Sequence, residues 1–130
     1  MKTLSRLGML VATLAVVAAA PAAAQGAAKL PAGVTPAMVE KGKAVWKGSG
    51  LCFACHGPEG KGAVGPNLTD AEWIHVKGGE YAGLVTVITK GITAAEAKTG
   101  KGPMPPKGGS QISDEDVKAV AAYVYTMSHK

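Results

Sequence analysis

Apolar residues along the chain fall into four blocks separated by glycine- and proline-rich stretches. The first, Leu7 to Ala20, is a run without a charge. The second opens at Pro36, a residue suited to the first turn of a helix because it lacks the N–H that would go unpaired there. Met38, Gly42, Val45 and Trp46 then recur at helical spacing and define one face, which Gly48 and Gly50 end. The third block predicts a helix from Glu80 to Ile92, with Tyr81, Leu84, Val85 and Ile88 on its inner face and a stop near Gly91. The fourth begins at Ser113, which with Asp116 three residues on forms a variant capping box. It buries Val117, Val120, Ala121, Val124 and Met127, with Tyr123 beside them, and His129 near its end is expected to fray. Asp70 is placed to cap a short helix carrying Trp73. No alternating strand pattern of useful length occurs. The pattern predicts an all-α domain of three main helices and one or two short ones.

Long loops join these elements, at residues 57–70 and 93–112. Structureless loops of that length are unusual in a compact domain unless they do something other than connect. The hydrophobic fraction of 47% is inflated by alanine, and large apolar side chains are few after residue 24. Loops that wrap a flat apolar cofactor would account for both features.

Charge and the N-terminus narrow the class further. Lys2 and Arg6, the apolar run and Ala22-Ala23-Ala24 read together as a secretory signal peptide over residues 1–24. The run is shorter than the roughly 20 residues of a spanning helix. Residues 25–35 form a flexible lead-in and 36–130 the domain. Of 14 basic residues, 12 remain after residue 24 against 9 acidic ones, a balance of +3. That is far from the dense basic stripe of nucleic-acid binding, which is discounted. An exported chain of this kind is expected in the periplasm, soluble after cleavage.

The candidate chemistry lies in Cys52-Phe53-Ala54-Cys55-His56. On a helical turn, residues three and four apart are neighbours, so 52, 55 and 56 face the same side. Two thiols can add to the two vinyl groups of a haem while His56 reaches the iron, the arrangement behind the haem-attachment signature. A disulfide across so short a loop would contribute little stability. A thioredoxin-like pair belongs in a strand-helix-strand setting absent here. A structural zinc site needs four ligands, which two cysteines with His56, His75 and His129 supply only with strain.

From Ala37 to the C-terminus the sequence resembles a class I monohaem c-type cytochrome, of the cytochrome c family, on the pentapeptide above and on Gly65-Pro66-Asn67-Leu68. The resemblance implies the cytochrome c fold around one covalent haem c, and a Pro66 carbonyl accepting a hydrogen bond from the second ring nitrogen of His56. Such an acceptor fixes the tautomer and raises ligand basicity. Gly42, Trp46 and Tyr123 resemble the family's helix crossing, although ordinary core positions explain them equally well. For the sixth iron position, Met38 and Met127 lie on helix faces, whereas Met104 lies in Gly102-Pro103-Met104-Pro105-Pro106. Flanking prolines restrict that loop's backbone, and it resembles the family's Met-Pro-Pro ligand loop. His75 is the rival ligand. Trp73 either bonds a haem propionate or packs in the core, and Tyr81 has the same two readings.

Histidine–methionine ligation raises the reduction potential and leaves no open site on the iron. The expectation is therefore electron transfer without catalysis, by a soluble carrier between respiratory or dehydrogenase partners. The alternatives are a dedicated subunit of a periplasmic dehydrogenase complex, a haem sensor or small peroxidase with an open iron site, and a thiol-disulfide oxidoreductase. Lys98, Lys101 and Lys107 flank Met104 with no acid among them. They form either a rim that steers an acidic redox partner or ordinary solvated loop lysines.

Overall fold

The computed structural model of the chain describes residues 29–98 and 101–130. The expected leader and residues 25–28 of the lead-in lie outside the described residues. No helix among those described is long and apolar enough to cross a membrane.

Among the described residues four α-helices follow in chain order: α1 (Pro36–Lys47), α2 (Cys52–His56), α3 (Tyr81–Lys90) and α4 (Asp114–Ser128). Single 3-10 turns stand at Lys77–Gly79 and Pro106–Gly109. Among the described residues the only strand-like pairing is an isolated antiparallel bridge between Ile92 and Met104. This is the expected all-α architecture of three main helices and a short one.

Each helix boundary has a local cause. Thr35 caps α1 by accepting from the Met38 N–H at 3.2 Å, and Pro36 occupies its first turn. The Ser113–Asp116 capping box is fully formed at the start of α4, where the three acids of the first turn also suit the positive helix end. Gly91 closes α3 at φ +74°, a conformation that favours glycine.

The core forms where α1 and α3 pack against α4. Gly42 is required at the first crossing, because a Cβ there would run into the Ala119 carbonyl and the Tyr123 Cβ. Trp46, 1% exposed, packs edge-on against Tyr123 with ring centroids 6.0 Å apart. Val117, Val120, Ala121, Val124 and Met127 are all buried, as the helical pattern predicts. Tyr81 donates its hydroxyl to the Lys118 carbonyl at 3.2 Å, tying α3 to α4.

Two local expectations fail. The segment around Trp73 is a series of bends and not a short helix. The Asp70 carboxylate accepts from the Glu72 N–H at 3.0 Å, two residues on, an Asx turn that no helix follows. Gly78 and Gly79 then take positive φ, and the Trp73 indole lies so close to Gly79 that a Cβ would overlap it. His129 does not fray. Its ring stacks on Tyr125 with centroids 3.9 Å apart, and its backbone N–H donates to the Tyr125 carbonyl.

Candidate functional site

The turn entering α2 is built from close backbone approaches. Gly50 is buried between the Val45 carbonyl and the Cys52 sulfur, leaving no room for a side chain. Leu51 takes the left-handed conformation at φ +54° and redirects the chain into α2. The result is that Cys52, Cys55 and His56 border a single cavity. Both thiols are free, Cys52 half-buried and Cys55 exposed. Burial pushes the Cys52 thiol up to about 11, which keeps it protonated.

The glycine-rich loop after α2 folds back over the histidine. Gly62 N–H donates to the His56 carbonyl and Gly65 N–H to the Cys55 carbonyl, each at 2.8 Å. Gly65 then lies on the imidazole, where a Cβ would stand 2.8 Å from Cε1. His56 Nδ1 is 3.0 Å from the Pro66 carbonyl oxygen. A carbonyl only accepts, so Nδ1 carries the proton and Nε2 is left as an unprotonated nitrogen with no partner among the described residues. Burial lowers the histidine's basicity, partly offset by the Pro66 carbonyl. Trp46 supports this loop from below, donating its indole N–H to the Pro58 carbonyl at 3.2 Å.

Met104 reaches the same cavity from the loop before the second 3-10 turn. Its backbone exchanges two hydrogen bonds with Ile92, at 2.7 and 2.9 Å, just beyond the end of α3. Gly91 allows this, since a Cβ there would overlap the Met104 carbonyl. Met127 is buried on α4 and Met38 half-buried on α1, both on helix faces. His75 also borders the cavity but is exposed. Trp73 lines it as well, packed against the core, and its indole N–H meets no protein acceptor among the described residues.

The lysines near Met104 divide. Lys107 is not a solvated loop lysine: its ammonium donates to the Ile112 carbonyl and to Asp114, both at 2.9 Å. Lys101 lies at the cavity border. Two apolar side chains there are exposed, Leu51 at 51% and Val64 at 66%. The exposed pair, the Ile92 bridge and the Lys107 contacts were not anticipated from sequence. Only Gly91 signalled any of them, and then as a helix stop.

The donor set suits a haem. Two thiols on one turn, an imidazole held neutral with Nε2 free, and a loop thioether meet on a wall that is otherwise mostly apolar. Fold and site together define a c-type cytochrome domain. Residues 37–124 match the family described as cytochrome c oxidase, cbb3-type, subunit III, and the chain belongs to that family. It is 40% identical over 78 residues to the cbb3-type cytochrome c oxidase subunit CcoP of Rubrivivax gelatinosus, covering 59% of this chain and 22% of that protein. It is 35% identical over 98 residues to subunit FixP of Azorhizobium caulinodans, covering 73% of this chain and 29% of that protein. The chain thus spans about a quarter of the length of these curated relatives. Cytochrome cL of Methylophaga aminisulfidivorans superposes with a TM-score of 0.52 at 21% identity, over 70% of this chain and 53% of that one, a likeness of fold. Family membership implies covalently bound haem c and electron transfer by a domain that is not itself catalytic.

Proposed function

We propose that the chain is an exported electron-transfer protein carrying one haem c, attached through Cys52 and Cys55 and ligated by His56 and Met104. The observation that carries this reading is the meeting of those four side chains on one cavity. Bound haem c supplies a one-electron iron couple.

The chain's own residues do the rest. Cys52 and Cys55 anchor the group by thioether bonds, formed as each S–H adds across a vinyl group. Pro66 keeps the His56 proton on Nδ1 and fixes the ring orientation, so Nε2 would offer its lone pair to the iron. Leu68, Leu84, Ile88, Val120 and Val124 keep water from the buried side. Trp73 offers its free indole N–H to a propionate. With Met104 and His56 both holding the iron, no position would remain for a substrate, which favours carriage over chemistry at the metal.

The residues Lys2, Arg6, the apolar run 7–20 and Ala22–Ala24 support export to the periplasm. There the domain would serve as a soluble carrier between respiratory or dehydrogenase partners, with Lys101 facing an acidic docking surface. A second reading is favoured by the relatives, which are named as oxidase subunits: the domain as a fixed subunit of a redox complex. Purification from the native host under mild conditions, followed by a pyridine haemochrome spectrum and a redox titration, tests both. A red protein that runs alone supports the carrier, and one that brings an enzyme with it supports the subunit. A colourless protein, or one that releases its pigment into acidified acetone, sinks the haem attachment itself.

A further inference from the structure

Lys107 occupies an unusual backbone position. It lies in the left-handed region at φ 54°, ψ 26°, followed by Gly108 at φ 65° and Gly109 at φ 79°. Glycine takes such angles without strain, whereas a side chain there is held only when its surroundings over-determine it. At Lys107 the surroundings do so through the side chain, whose ammonium bonds the Ile112 carbonyl and Asp114 at 2.9 Å each. The turn it belongs to is closed from within as well. Gly108 N–H donates to the Pro105 carbonyl at 2.9 Å, and the Ser110 hydroxyl donates to the Lys107 carbonyl at 2.6 Å.

This turn begins directly after Met104. On its other side Met104 is joined to Ile92, at the end of α3. We infer that Lys107 is a positioning residue: it fixes the Met104 loop to the start of α4, so that the thioether is held over the cavity from both ends. The inference rests on the reading of Met104 as the second iron ligand. Its physical content is that the strain at residue 107 is tolerated because the ammonium contacts place the loop.

The test uses the matured, haem-loaded full chain. The ferric absorption band at the red end of the spectrum reports thioether on iron, and far-ultraviolet circular dichroism reports the helices. Met104→Ala is the reference. Lys107→Gly removes the ammonium and relieves the backbone strain at once, Lys107→Leu removes the charge and adds no metal ligand, and Lys107→Arg restores a cation. In Lys107→Gly and Lys107→Leu the band should disappear at lower urea than the helical signal, with the fraction of molecules lacking it up about tenfold, as expected for lost charge-assisted bonds. Lys107→Arg should recover much of the band. If Lys107→Gly holds the band to the same or higher urea than the parent, the positioning role is overturned while Met104 stands. If the band survives Met104→Ala, the ligand reading falls and the inference falls with it.

Discussion

Ile92 and Met104 each donate a backbone N–H to the other's carbonyl, at 2.7 and 2.9 Å. This pair joins the end of α3 to a loop that otherwise lacks regular structure. It sets where the Met104 side chain starts, and Gly91 makes the approach possible.

Gly91→Ala should therefore disturb both stability and the site. The residue has φ +74°, and its new methyl would meet the Met104 carbonyl and the Pro106 nitrogen. Left-handed strain and overpacking together should cost about 2–4 kcal/mol. Urea unfolding of the matured protein should show that loss, together with a weakened red-end ferric band. An unchanged midpoint would mean that the loop is held elsewhere.

Gly65→Ala probes the histidine. A methyl at this position presses on the imidazole from 2.8 Å and should turn it away from the Pro66 carbonyl. With His56 on iron as proposed, that hydrogen bond would make the ring a stronger donor and favour the oxidised state. Its loss should raise the reduction potential, because the bond is stronger when the ring serves the more electron-poor, oxidised iron. A redox titration in which the potential stays constant or falls would contradict this assignment of the Pro66 contact.

Acid should weaken α4 first. The Asp116 carboxyl is held below its ordinary value of 3.8 by hydrogen bonds from Lys41 and Ser113. Its stabilising share is thus complete above pH 3.8 and is lost as pH falls through the lower folded-state value. Asp114 is depressed in the same way by Lys107. Unfolding midpoints measured from neutral pH down through this range should fall, and Asp116→Asn should flatten the fall. An equal slope in both proteins would place the acid sensitivity in other groups.

Lys101 and Lys107 are not equivalent as probes of partner steering. Lys107 is committed to Ile112 and Asp114, so reversing it would disturb the fold as well as the surface. Lys101→Glu is the cleaner probe of steering. Electron transfer to an acidic redox partner should slow about two- to five-fold at low salt, with a shallower salt dependence. Stopped-flow rates that match the parent at every ionic strength would leave no steering role for that lysine.

Local chemistry made most of the fold legible in advance. The spacing of Val45 and Trp46, of Leu84 and Ile88, and of Val117 through Met127 marks three buried helix faces, because a helix repeats its contacts every three to four residues. The Ser113–Asp116 capping box and the helix stop at Gly91 are short-range interactions and were read correctly. The turn at Asp70 is also local, but the same carboxylate can start a helix or an Asx turn, and the packing of Trp73 on Gly79 goes with the second.

By itself the sequence determined the helices and put two thiols and an imidazole on one helical turn, since those depend only on neighbours along the chain. Tertiary structure decided what faces them. It brought Met104 onto the cavity through Ile92, laid Pro66 and Gly65 against His56, and turned Lys107 from a surface charge into a tie to α4. Each of these is a contact between segments that no helical periodicity links.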